Sequence, residues 1–166
     1  MDCDIYITGS NAKLLSGELA TYLSGRYVEF VVYSFSFAEF IELYRTVHPD
    51  TGTRQCFSKF LTAGGMPYLS NLRYDETASR QYLRDLFSSV ELRDIVKRNN
   101  IRDVDMLERI IAYVTSNIGT TFSSTAISKY LKSERRSVSP ETVLGYIKAC
   151  TDAFLFYQVK PYSAAT

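Results

Sequence analysis

The sequence contains no tryptophan, one histidine, four prolines and three cysteines among its 166 residues. The lone His48 sits in Thr-Val-His-Pro-Asp ahead of a turn and reads as a surface histidine. No nucleophile–base pair or zinc cluster can be assembled around it. Cys3, Cys56 and Cys150 are odd in number and lie far apart. That spacing argues against a disulfide framework and for reduced, mostly buried thiols in a cytoplasmic protein. Long apolar runs are also missing. The longest fall far short of the roughly 20 residues that cross a bilayer, so no membrane partner is expected. Met1-Asp2-Cys3-Asp4 lacks the basic flank and apolar centre of a signal peptide. No sign of charge dominates: the net charge of +1 gives no global pull toward nucleic acid or anionic lipid, so such a partner would need a local patch.

What is present suffices for a core. Apolar residues make up 46% and charged residues 22%, the balance of an ordinary globular chain. The first third reads strand, helix, strand, helix. Ile5-Tyr6-Ile7 is a short apolar run closed by Thr8-Gly9-Ser10-Asn11, and Ser10 or Asn11 caps the helix that follows through Leu15, Leu19, Tyr22 and Leu23. Gly25 stops that helix. Tyr27 to Tyr33 is β-branched and aromatic, a second strand. Ser36-Phe-Ala-Glu39 spells a capping box that opens a helix through Phe40, Ile41 and Tyr44, broken at His48-Pro-Asp-Thr-Gly52. The first strand begins with almost no lead-in, and a buried strand needs neighbours on both sides, so the sequence is expected to be trimmed from a longer protein.

The remainder is helical. Phe57, Phe60 and Leu61 form an apolar stripe ended by Gly64-Gly65-Met66-Pro67. A long amphipathic helix is expected from about Asp75 to Lys97, with Leu83, Leu86, Phe87 and Val90 at helical spacing. Its charged group Arg93, Asp94, Lys97 and Arg98 reads as a solvated or interdomain face, with Asp94 and Arg98 able to pair. Leu107, Ile110, Ile111, Val114 and Ile118 repeat the pattern up to Gly119. Ser123 caps a short helix through Ile127 and Leu131, and Lys132 to Val138 is a polar connector. Ser139-Pro140 then starts a helix through Val143, Ile147 and Cys150. Phe154 to Val159 reads as a closing strand, so helix, turn, helix, strand is the order of a winged-helix module over about residues 121–160.

Two stretches carry a resemblance. Asp4-Ile-Tyr-Ile-Thr-Gly-Ser-Asn-Ala-Lys-Leu-Leu-Ser-Gly-Glu-Leu19, Leu23-Ser-Gly-Arg26 and Ser36-Phe-Ala-Glu39 form the first. The second is Phe60-Leu-Thr-Ala-Gly-Gly-Met-Pro67, Leu92-Arg-Asp-Ile-Val-Lys-Arg98 and Asn117-Ile-Gly-Thr-Thr-Phe-Ser123. In this order they resemble prokaryotic AAA-like P-loop ATPases with a C-terminal domain of unknown function. The resemblance implies an α+β, mostly helical chain. Residues 1–50 would be the C-terminal remnant of the ATPase module, and residues 51–166 a helical domain ending in the winged-helix-like segment.

The family's phosphate loop ends in Gly-Lys-Ser/Thr, whose amides, lysine and hydroxyl hold phosphates and magnesium. No glycine in this sequence is followed by lysine, and no apolar strand ends in Asp-Glu. The chain by itself is therefore expected to bind no cofactor and to hydrolyse no ATP, while ATP and magnesium are implied for the intact parent enzyme.

By the same resemblance Ser10 and Asn11 would be γ-phosphate sensors in that parent, beside their plain role as caps. Arg26 would be an arginine finger or second sensor, against the plainer reading of a cation at a helix C-terminus. Lys129, Lys132, Arg135, Arg136 and Lys148 gather around the helix-turn-helix, and residues 121–160 hold six basic against three acidic residues. Lys132, Arg135, Arg136 and Lys148 are thus candidates for nucleic-acid contact, though the presumed reading helix offers only Thr142, Tyr146 and Lys148 to base edges. The preferred function is that of a nucleotide-driven switch relaying to a protein partner. The alternatives are a winged-helix DNA-binding regulator and a non-enzymatic interaction module. An uncovered sheet edge also predicts self-association, as a dimer through the remnant sheet.

Overall fold

The computed structural model of the protein describes residues 4–9, 22 and 26–159. The chain divides into two compact units, one of residues 26–88 and one that includes 89–159. The described residues are mostly helical and contain no strand. Residues 4–8, 27–33 and 154–159, each expected as a strand, form no strand. In the segment 27–33 the side chains show why: Val28, Phe30 and Val32 are exposed at 77%, 82% and 90%. An apolar segment of this kind becomes a strand only when a neighbour takes up its backbone groups, and no described residue does so in a ladder.

In the unit of residues 26–88, α1 spans Phe37–Val47 and α2 spans Thr53–Ala63. The Ser36 capping box forms as expected. The Glu39 N–H donates to Ser36 Oγ at 3.4 Å, and the Ser36 N–H donates back to Glu39 Oε2 at 2.8 Å. Hydrogen bonds from Ser36 hold the Glu39 carboxyl below its ordinary value. At the other end His48 is the C-cap, its N–H donating 3.0 Å to the Tyr44 carbonyl. Gly64 stops α2 at φ 75°, and a 3₁₀ turn follows at Pro67–Ser70.

The core of this unit is aromatic. Phe40 is buried, with Tyr44, Phe60 and Tyr74 ring centroids at 5.3, 5.2 and 5.4 Å. On α2 the buried line is Cys56 and Ala63, with Phe60 partly buried between them. The expected stripe of Phe57, Phe60 and Leu61 is thus corrected in part: Leu61 faces out, Phe57 is half exposed with its ring edge-on to Phe37 at 5.2 Å, and the four- and seven-residue spacings from Cys56 set the inner face.

The long helix begins as expected but does not stay uniform. An α-helical part, α3, spans Glu76–Ser89, and a π-helical stretch follows at Val90–Lys97. Val90 and Ile95 are five residues apart and pack on one apolar cluster. A spacing of five fits i→i+5 winding, whereas α winding aligns residues three and four apart.

Helices α4 (Val104–Ser116), α5 (Ser124–Ser133) and α6 (Pro140–Asp152) complete the second unit. Each starts on a side-chain cap: Asp103, Ser123 and Ser139 accept from Met106, Ala126 and Thr142 at 2.9, 3.1 and 3.2 Å. Leu107, Ile110, Ile127, Leu131 and Val143 are fully buried, each contributing about 1.5–3 kcal/mol of burial energy. Ile118, expected on the same face, is 75% exposed because α4 has already ended at Asn117. Cys56 and Cys150 are buried free thiols, as expected; Cys3 lies outside the described residues.

Candidate functional site

The helix-turn-helix of α5 and α6 is the place where sequence and structure meet. Buried Ile127, Leu131 and Val143 pack it against Met106, Ile110 and Val114 of α4. Ser128 Oγ pins the connector by donating to the Val138 carbonyl at 2.6 Å. Helix α5 closes in a Schellman turn: the Arg136 N–H donates to the Leu131 carbonyl and the Arg135 N–H to the Lys132 carbonyl, both at 3.0 Å. The left-handed position of that turn, where glycine is cheapest, is held by Arg135 at φ 62°. Helix α6 ends the same way with Phe154 at φ 56°, its Leu155 N–H donating 3.0 Å to the Cys150 carbonyl. This turn sends Leu155 and Phe156 back onto the helical core.

The candidate cations do not form one free patch. Lys129, Lys132 and Arg135 are exposed. Arg136 instead turns to α4, its Nη2 lying 3.2 Å from Asp105 Oδ2. Lys148 Nζ lies 3.5 Å from Asp152 Oδ1, one turn along α6. Arg109 joins the network with Nε 3.0 Å from Asp105 and Nη1 3.2 Å from Glu134. Its hydrogen bond, backed by the charges of Arg109 and Arg136, holds the Asp105 carboxyl below its ordinary value. Tyr130 donates to Glu134 Oε1 at 2.7 Å, which raises the phenol above its ordinary range.

Sequence reasoning missed the groove beside this network. A groove of about 440 Å³ is lined by Arg109, Tyr113 and Asn117 of α4 and its end, and by Tyr130 and Glu134 of α5. The Tyr113 and Tyr130 rings lie 4.9 Å apart. The signal was available: 109, 113 and 117 repeat every four residues, as do 130 and 134. The groove offers ring faces and a paired guanidinium, a surface for contact and not a nucleophile with its base.

Of the expected nucleotide sensors, Ser10 and Asn11 lie outside the described residues, and Arg26 is exposed at the start of the 26–88 unit. Among the described residues no cluster of three or more His, Cys, Asp and Glu side chains is placed to hold a metal. No helix among them is long and apolar enough to cross a membrane.

Comparison with known proteins accounts for both parts of the chain. Residues 1–41 match the family model of an AAA domain. An uncharacterised protein of Haemophilus influenzae is 40% identical over 159 residues, which are 96% of this chain and 39% of that protein. An uncharacterised protein of Methanocaldococcus jannaschii is 27% identical over 171 residues, covering 98% of this chain and 38% of its own length. The chain therefore spans about two fifths of the length of these curated relatives. No solved structure matches it. Residues 54–166, well over half of the chain, match the model of a domain of unknown function, and the protein belongs to that family, DUF8612.

Proposed function

We propose that this chain is the C-terminal portion of an AAA-like ATPase, in which the helical domain relays nucleotide state to a protein partner in the cytoplasm. One observation carries the reading: an AAA match at residues 1–41 and a match to a domain of unknown function at 54–166 share one chain, and relatives are about two and a half times as long. On this reading ATP and magnesium bind in the part of the parent that supplies the phosphate loop. Ser10, Asn11 and Arg26 approach the γ-phosphate from this portion. Within the parent, residues 4–8 and 27–33 become strands of a P-loop sheet whose neighbours belong to the rest of that protein. In isolation the exposed apolar segment Tyr27–Tyr33 pairs with a second copy.

The test uses the full-length Haemophilus influenzae relative. It should bind ATP with magnesium and hydrolyse it, and in the intact parent of this chain Arg26→Ala should slow that hydrolysis. Failure to bind nucleotide would overturn the reading, as would tight binding of magnesium ATP to the 166-residue chain alone, measured by calorimetry.

A second reading is a winged-helix DNA-binding regulator, with α5 and α6 as the helix-turn-helix and residues 154–159 as the wing. Arg135 favours it: an exposed cation stands at a backbone position that glycine would occupy at lower cost. Duplex binding with a salt slope that shrinks in Arg135→Ala, Lys132→Ala or Lys148→Ala supports this reading; no binding at low salt removes it.

A further inference from the structure

Glu91 stands apart among the charged residues described. It is only 8% exposed, and its Oε1 has no hydrogen-bond partner. It is the second residue of the π-helical stretch Val90–Lys97. Two titratable groups face it: Glu108 of α4, of like charge, and the buried Cys150 thiol of α6. A carboxylate in this position gives up its water and gains no opposite charge from either neighbour; a neutral carboxyl gives up far less.

The winding around it is also unusual. A π-helical turn is rare and, where it occurs, is frequently at a functional site. Here it is held by the packing of Val90, Ile95 and Val96 on the cluster of Leu107, Ile111, Ala149 and Cys150. Glu91 is the most buried charged residue of that stretch; Asp94, three residues on, is 15% exposed at its side chain and pairs with Arg98.

We propose that Glu91 is a proton-operated latch on the π-helical stretch. With its proton, the carboxyl stays packed toward α4 and α6 and the stretch keeps its register. Without it, the carboxylate moves to water and residues 90–97 loosen. Burial first, and the charge of Glu108 second, push the Glu91 carboxyl above its ordinary value of 4.5. The folded protein therefore holds this proton more tightly than the unfolded chain. The destabilisation sets in as pH rises past 4.5 and is complete above the raised folded value.

Carbon-13 NMR of the side-chain carboxyls, with Glu91 assigned by its loss in Glu91→Gln, reads the first step. The latch requires a midpoint above 4.5; a midpoint at or below 4.5 overturns it. Amide hydrogen exchange, corrected for intrinsic rate, reads the second. Protection at residues 90–97 should fall relative to α4 as pH crosses the Glu91 midpoint, and should not fall in Glu91→Gln. Constant relative protection in the native sequence overturns the latch even with a raised midpoint. If Glu91→Gln does not fold, through-bond assignment in the native sequence allows the titration and its exchange profile to decide alone.

Discussion

Gly65 carries the backbone of Phe35 directly across it. The Phe35 N–H donates 2.8 Å to the Gly65 carbonyl, and a Cβ added to Gly65 would stand 2.2 Å from the Phe35 carbonyl oxygen. The obstacle is backbone, which cannot rotate away as a side chain could. Gly65→Ala should therefore lower stability by about 1–3 kcal/mol, read as an earlier urea midpoint. Gly145, inside α6, is the opposite case. A Cβ there would meet nothing within 4 Å. Gly145→Ala should raise stability by about 0.5–1 kcal/mol, because helix-interior glycine costs backbone entropy. Equal effects at the two positions would contradict this account.

Arg135 gives a separate test of strain. Its φ of 62° closes α5, and left-handed backbone costs a non-glycine residue about 1–2 kcal/mol. Arg135→Gly should recover about 1 kcal/mol, offset in part by glycine's greater freedom in the unfolded chain, and should show as a higher melting temperature. Arg135→Ala, which keeps the strain and removes the cation, should leave the melting temperature nearly unchanged. The pair separates the backbone role of this position from any role of its charge.

The local grammar of the chain was legible, and its long-range pairings were not. Ser36-Phe-Ala-Glu39, Ser123 and Ser139-Pro140 each announced a helix start because a cap is written within four residues, and each cap forms. Asp94 and Arg98 pair at 3.5 Å for the same reason. By contrast, Arg136 reads as a free cation until the fold brings Asp105 to it from 31 positions earlier. The π-helical register at Val90–Lys97 depends on which side chains reach the α4–α6 core, and Glu91 looks like any surface acid in the string Val-Glu-Leu-Arg-Asp. Tyr27–Tyr33 carries the composition of a strand, but composition does not supply a partner.

Asp105 predicts an acid-side dependence. Its carboxyl is lowered by the Arg109 hydrogen bond and by the charges of Arg109 and Arg136. A depressed carboxyl stabilises the fold above its ordinary value of 3.8, and that contribution is lost as pH falls through the lower folded value. Asp105→Asn should accordingly be less stable than the native sequence at neutral pH, with the gap closing as pH drops below 3.8. Asp105 and its partners are about half exposed, so added salt should narrow the gap as well. Urea titrations at two pH values and two salt concentrations check both trends. A gap that widens toward acid would contradict the charge pairing.

Cys150 joins the packing of α6 to the behaviour of Glu91. The thiol is fully buried, and burial first, with the charge of Glu91 second, pushes it up to about 12. At neutral pH it is neither ionised nor reachable, so alkylation must wait for an opening of the domain. Iodoacetamide labelling followed by mass spectrometry should find Cys150 modified orders of magnitude more slowly than in urea. The native rate should rise in step with the open population as denaturant is added. Because Ile95 of the π-helical stretch packs in the same cluster as Cys150, Glu91→Gln should slow the native labelling further by keeping that stretch shut. Labelling of the native chain at the rate of a free thiol would mean that Cys150 is not sealed by α4, α6 and residues 90–97. The burial that raises both the thiol and the Glu91 carboxyl would then be absent.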